Sequence, residues 1–345
     1  MKAGGELSQW LDEARVERLR HEGALVLDVD DTLLAREGAS GREETFAESR
    51  TAALLPELLR RGFRVGLVTG HGWAQLHARL VAPVVEHLRE MDGDDDGVAA
   101  CLARLRVYAN RGATKIVWDG VRHHVEETYG ARYQLRAADV PLLRRLLERL
   151  GAEFDADVRA RREWYAASFP RFDFASLPAR VREREGAVLV LRPIPARRHA
   201  AAGVASNPRA QVCARGIEML GGAGLESEYE LGESGRSSIE ITRRGISKEA
   251  ALRDLAAEIS AATGARAADT EAALVYVGDE FYAGGNDWVV PRAFPRALCF
   301  SVAGALDERE TEAGVVSLAG AAEGARTRGT EATHALLAHL LNLSA

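Results

Sequence analysis

The sequence predicts an α/β protein, a doubly wound parallel-sheet core interrupted by an inserted α+β domain. Three observations carry this. Short, almost wholly apolar runs recur at residues 24–29 (ALVLDV), 63–68 (FRVGLV), 273–277 (ALVYV) and 297–302 (ALCFSV), the composition of strands buried on both faces of a parallel sheet. Segments with helical periodicity alternate with them, as crossovers between parallel strands require. Between about residues 83 and 242 that rhythm is lost, and the strand candidates there suit a mixed sheet.

Each element follows from local pattern. Residues 7–22 form an amphipathic segment ahead of the first strand, which runs directly into Asp28, Asp30 and Asp31. Residues 47–61 read as a helix that Gly62 closes. The second strand, 63–68, ends in Thr69-Gly70, and a helix follows from about Gly72 to Arg89. The acidic loop Asp92-Gly-Asp-Asp-Asp-Gly97 then leads to strand candidates at 105–109 and 115–118. Asp139 caps the helix VPLLRRLLERL, with Gly151 as its expected end. Strands are expected at 187–192 and 237–242, with 196–235 unassigned. The parallel rhythm resumes with a helix at 248–262, then the strands at 273–277 and 297–302, and a last helix begins near Thr330. The expected division is a core of residues 1–82 and 243–345 and an inserted domain of 83–242.

At 345 residues the chain exceeds what one domain usually holds, which agrees with two. A net charge of -6 gives no basic face for general nucleic-acid binding. Cys101, Cys213 and Cys299 are far apart and form no CxxC pair, so a reduced, cytoplasmic setting is expected. The first residues are charged throughout and lack an apolar signal core. No run approaches the ~18 apolar residues of a membrane span.

Four chemistry-bearing pieces fall at strand ends or a helix start, where open α/β sheets bind ligands. They are Asp28-Val-Asp-Asp-Thr32, Thr69-Gly70, Lys248, and Gly278-Asp279 with Gly284-Gly-Asn-Asp287. Asp28 and Asp30 lie two residues apart where a strand enters a loop, and Asp279 comes from another strand tip. Carboxylates converging on one point repel unless a cation sits among them, and hard oxygen ligands favour Mg²⁺. A phosphate ester needs that neutralisation together with an in-line nucleophile. Asp28 can attack phosphorus. Asp30 can protonate the leaving oxygen and later deprotonate water. Thr69, the backbone about Gly70 and the Lys248 ammonium can hold phosphoryl oxygens.

These residues resemble the haloacid dehalogenase (HAD) superfamily of phosphotransferases. DVDDTL at 28–33 is similar to its first motif, VTG at 68–70 to its second, Lys248 in GISKEAAL to its third, and GDEFYAGGND at 278–287 to its acidic fourth, all in the family's order. The resemblance implies a HAD-like, Rossmannoid core. The stretch from Asp31 to Thr69 is too short for a cap, whereas Thr69 to Lys248 is long enough. That resembles the sub-class with an α+β cap between the second and third motifs, which includes Cof-type sugar phosphatases, sucrose and trehalose phosphate phosphatases and phosphomannomutase. VYANRGATKIVWDG at 107–120 resembles the Cof-type cap entrance, with Arg111 in place of the usual Asn. SIEITRRGISKEAAL at 238–252 resembles the return from the cap. The resemblance implies Mg²⁺ bound by Asp28, the backbone carbonyl of Asp30 and Asp279. Asn286 and Asp287 would order metal-bound water or orient Lys248. The implied activity is hydrolysis of a small phosphorylated metabolite, a sugar phosphate above all.

Two alternatives stay open. EFYAGG between the Gly-Asp and Asn-Asp pairs matches the mutase spacing, so a hexose-phosphate mutase is one. A catalytically idle binding protein is the other. Simpler readings attach to the remaining features. Asp92–Gly97 fits the start of a calcium loop, but Ala103 stands where its Glu belongs, so a solvated linker is expected. His123-His124 reads as a surface pair, and the arginines at 159–162 and 192–198 as solvated charge. Trp73 suits pocket and core equally.

Overall fold

The structure, a computed structural model, describes residues 7–36, 42–196, 199–234, 237–282, 285–304, 306–318 and 329–344. Arg197, Arg198, Ala283 and Gly284, parts of two stretches singled out above, lie outside them. In chain order the strands are β1 (Ala24–Leu27), β2 (Val65–Val68), β3 (Leu105–Ala109), β4 (Thr114–Asp119), β5 (Arg122–Val125), β6 (Arg180–Arg184), β7 (Val188–Arg192), β8 (Tyr229–Ser234), β9 (Ser238–Arg243), β10 (Leu274–Gly278), β11 (Leu298–Ser301) and β12 (Val316–Ser317).

They form two sheets in two units. The first unit, Met1–Glu127 with Ser247–Ala345, holds an eight-stranded sheet in the order β12-β11-β10-β1-β2-β3-β4-β5. From β12 to β3 it is parallel, and β4 and β5 add an antiparallel edge. Every residue of β1, β2, β10 and β11 is buried, as the apolar runs require. Leu25 and Leu27 of β1 join one apolar cluster with Leu58 and Leu80 on the flanking helices. Truncating such a leucine to alanine costs about 2–5 kcal/mol.

The second unit, Thr128–Ile246, carries an antiparallel sheet β6-β7-β9-β8 and its own apolar cluster, built from Leu143, Leu147, Leu150, Leu189 and Ile241 among others. Its sheet is wholly antiparallel where the sequence suggested mixed strands. Among the described residues no helix is long and apolar enough to cross a membrane.

The structure departs from the sequence reading in four places. Residues 83–127 belong to the core unit rather than to the insert. The strands at 105–109 and 114–119 extend the core sheet, because β3 pairs in parallel with β2 through Val65–Leu105 and Leu67–Val107. The acidic stretch is a junction between helices instead of a linker. Gly93, at φ +74, closes the helix Ala82–Asp92, and the Asp94 carboxylate accepts from Gly97 N at 2.7 Å to cap Asp95–Leu102. The helix expected over 47–61 breaks into 3₁₀ turns at Phe46–Glu48 and Ala52–Leu54 before Leu55–Arg60, whose second residue is Pro56. The helix from Val140 runs through Gly151 to Ala160. Gly151 is there for close packing, since an added Cβ would lie 3.0 Å from Leu191.

Candidate active site

The site begins where β1 ends. Asp28 N donates to Val277 O at 2.9 Å, so the strand ladder reaches one residue beyond Leu27 and places Asp28 at the tip. The chain then closes tightly: Leu33 N and Leu34 N both donate to Val29 O, and Asp31 N donates to Leu34 O. Asp31 takes φ +55 to allow this, a conformation Asp tolerates better than most residues. As a result the Asp28 and Asp30 side chains leave the same turn in different company.

Asp28 meets the C-terminal segments. One carboxylate oxygen from each of Asp28, Asp279 and Asp287 lies within 4.8 Å of the others. Lys248 Nζ sits 3.1 Å from Asp28 Oδ1 and donates to Asp287 Oδ1 at 2.5 Å. Ser247 caps this lysine's helix by accepting from Ala250 N, which puts Lys248 in the first turn. Gly112, at φ +96, packs against that cap. A Cβ there would stand 2.9 Å from Ser247 O, so only glycine fits.

Asp287 is completely committed. Its Oδ1 also accepts from the Tyr276 hydroxyl, and its Oδ2 accepts from Glu280 N at 2.8 Å. Gly278 makes room for it, because any side chain at 278 would strike the Asp287 carboxylate. Asp279 is the opposite case: its Oδ1 is buried and has no hydrogen-bond partner.

The electrostatics follow from this packing. Burial pushes the Asp28 carboxyl up to about 7 despite Lys248, with Asp287 and Asp30 adding repulsion. Burial, then the charges of Asp28 and Asp287, push Asp279 up to about 9. Burial works against the Lys248 ammonium, but Asp28 and Asp287 outweigh it and raise its pKa. A buried acid with an oxygen left over, beside a second acid resisting ionisation, fits a hard divalent cation at Asp28 and Asp279. Asp287 already accepts from Lys248, Tyr276 and Glu280 N, which suits it to orienting Lys248.

Asp30 turns the other way. Its Oδ2 accepts from His71 Nε2 at 2.6 Å, and Arg79 Nη1 stands 3.3 Å from its Oδ1. Burial alone would raise its pKa, yet the His71 hydrogen bond and the charges of His71, Arg36 and Arg79 bring it below the usual carboxylate range. Arg36 also spans Asp31 (3.4 Å) and Glu280 (3.5 Å), tying the first loop to the fourth.

Thr69 is buried at the end of β2. Its Oγ1 accepts from His71 N at 3.1 Å, and its N donates to Tyr108 O. Gly70 faces open space on its Cβ side. Asn286 is exposed. A cleft of about 400 Å³ beside Asp279 is lined by Asp31, Ala35, Val302, Ala303 and Thr330 among others. His123 is an exposed strand residue whose ring packs against Trp73, His77 and Trp118. The sequence reading did not single out His71, Arg79, Arg36 or Tyr276. His71 carried the one available signal, two residues past Thr69 in the same turn.

No protein-family model matches the sequence, and no curated protein does. Solved structures share its fold. An N-terminally truncated, IMP-bound IMP-nucleotidase of Plasmodium falciparum aligns at a TM-score of 0.50 and 15% identity, over 89% of this chain and 71% of that one. A C-terminally truncated form of that nucleotidase gives 0.53 at 13% identity, over 95% and 74%. A haloacid dehalogenase-like hydrolase from Bacteroides thetaiotaomicron gives 0.51 at 15% identity, over 92% and 99%. The chain has the haloacid dehalogenase-like fold: an α/β Rossmannoid core with an inserted, sheet-bearing cap.

Proposed function

We propose that the chain is a Mg²⁺-dependent phosphatase of small phosphate monoesters, sugar phosphates foremost, acting through an aspartyl-phosphate on Asp28. The observation that carries this reading is the placement of Asp28. Its carboxylate projects from a strand tip, 3.1 Å from the Lys248 ammonium and in one cluster with Asp279, whose Oδ1 lacks a partner. Mg²⁺ held by Asp28, the Asp30 backbone carbonyl and Asp279 would supply charge neutralisation for the phosphoryl group.

The chain's own groups do the rest. An Asp28 oxygen attacks phosphorus as the ester P–O bond breaks, and the proton for the leaving oxygen comes by way of Asp30. His71 Nε2, 2.6 Å away, is the nearest source of that proton. Asp30 is then a base and takes a proton from water. That water attacks phosphorus, releases phosphate and restores Asp28. Thr69, Gly70 and Lys248 hold phosphoryl oxygens, and Asp287 orients Lys248. Asn286, which is exposed, would order metal-bound water. Substrate choice we assign to the inserted unit. A reducing, cytoplasmic setting suits the buried free thiols of Cys101, Cys213 and Cys299.

The test is phosphate release from a panel of sugar phosphates, polyol phosphates and nucleotides, with Mg²⁺ and with chelator. Release that needs the metal is expected from one or a few compounds. No release from any of them would reject the phosphatase and direct attention to hexose-phosphate isomerisation.

A further inference from the structure

Arg79 is 8% exposed, although an arginine on a core-facing helix position has little reason to be there. It lies within a single π-turn, His77–Val81, set between the helices Trp73–Leu76 and Ala82–Asp92. A π-turn adds a residue to the helix and shifts the facing of the next turns, and such insertions concentrate at functional sites. Here the turn brings a guanidinium to Asp30. Nη1 stands 3.3 Å from Asp30 Oδ1 and 3.4 Å from Glu43 Oε2, and Nε donates to Glu44 O at 2.6 Å. Nη2 is buried with no hydrogen-bond partner.

That is a poor arrangement for stability. Burying a cation costs several kcal/mol unless every donor is well satisfied, and an apolar side chain of similar volume would usually do as well. It is a good arrangement for fixing a carboxylate. His71 occupies Asp30 Oδ2 and Arg79 approaches Oδ1, so the carboxylate is held from both sides and cannot rotate freely. A general acid contributes only when its proton is aimed at the leaving oxygen.

We infer that Arg79, carried inward by the π-turn, is a positioning residue that aims the Asp30 carboxyl at the leaving group. This rests on the reading of Asp30 as the acid/base of a phosphatase. Its consequence is selective: Arg79 matters in proportion to how much the leaving group needs a proton.

The experiment compares phenyl phosphate with p-nitrophenyl phosphate, which have nearly the same shape but leaving groups of different basicity. Arg79→Gln is expected to lower kcat/KM, which reports phosphoryl transfer to Asp28 and not the later water step, about 30-fold on phenyl phosphate and less than about threefold on p-nitrophenyl phosphate, since general-acid help is worth about 10²–10⁴-fold in all. Arg79→Lys, which keeps the charge and loses the planar fork, should fall between. It also decides the matter alone if the glutamine variant does not fold. Equal losses of kcat/KM on both substrates would overturn the inference and leave the phosphatase reading standing. A wild-type protein that hydrolyses neither compound, nor any of the sugar phosphates, polyol phosphates and nucleotides named above, would overturn both.

Discussion

Lys248 Nζ sits 2.5 Å from Asp287 Oδ1, with the lysine side chain 4% exposed and the aspartate wholly buried. The same ammonium lies 3.1 Å from Asp28. Asp287 therefore competes with Asp28 for one cation and keeps the lysine from collapsing onto it. Asp287→Asn removes that competition while preserving size. Steady-state phosphate release should show kcat falling about 10–100-fold, the usual cost of losing an orienting partner. Activity within twofold of wild type would remove Asp287 from the assigned role.

The proposed nucleophile and the proposed acid/base should fail differently. Asp28→Asn is expected to abolish turnover and leave no covalent phosphate on the protein. Asp30→Asn should still accept a phosphoryl group from an activated aryl phosphate and then stall, because water lacks its base. Intact-protein mass after acid quenching separates the two. Turnover by the Asp28→Asn protein would end the proposed mechanism.

Metal and pH are linked through stability. The pKa values of Asp28 and Asp279 lie at about 7 and about 9 in the folded protein, above those of exposed aspartates. Between about pH 4 and pH 9 the folded, metal-free chain thus keeps protons that the unfolded chain has released, and its stability falls as pH rises. The pKa of His71, raised by its Asp30 hydrogen bond against burial, adds a loss of the same sign. Mg²⁺ bound as proposed would compete with the carboxyl protons, so it should raise Tm at pH 8 and do little at pH 5. Thermal denaturation with chelator and with Mg²⁺ checks this. Asp279→Asn should flatten the slope and cancel the Mg²⁺ effect. The same Mg²⁺ response in that variant would place the metal elsewhere.

A separate charge cluster ties the antiparallel edge of the sheet to the helix that presents Lys248. Lys115 on β4 is 3% exposed and reaches Glu258 at 2.6 Å and Asp254 at 2.7 Å. Tyr108 and Arg106 of β3 bind the same two carboxylates. Lys115→Met leaves those acids facing one another and should cost about 2–3 kcal/mol. Urea denaturation would show a lower midpoint at unchanged slope. An unchanged midpoint would mean the network contributes nothing net.

Much of this was legible in the sequence, for physical reasons that differ by residue. Asp28, Asp279 and Lys248 could be placed because each sits at the end of an unmistakable apolar strand or at the start of a capped helix. Asp287 could be placed because it lies a short loop beyond one of those strands. Asn286 is its sequence neighbour, yet it is exposed where Asp287 is wholly buried. The insert boundary at residue 83 was misplaced because β3 and β4 form an antiparallel pair like the insert's strands, and only the parallel register with β2 reveals their sheet. Arg79 was hidden for a deeper reason. A π-turn breaks the 3.6-residue repeat on which any facing argument rests, and nothing in HARLV announces it.

The central strand has a history as well as a place. β1 is flanked by β2 on one side and β10 on the other, with Leu25 opposite both Val65 and Val275. During synthesis its first neighbour emerges early, whereas the second comes only after the entire Thr128–Ile246 unit has been made. That unit has its own sheet and apolar cluster, so it can fold while its host is still half built. Until β10 arrives, β1 presents an unpaired apolar edge, and closing the sheet requires one of the longest-range contacts in the chain. A ribosome carrying this protein can thus hold a finished guest inside an unfinished house, and Asp28 meets Asp279 only after the whole guest has been made.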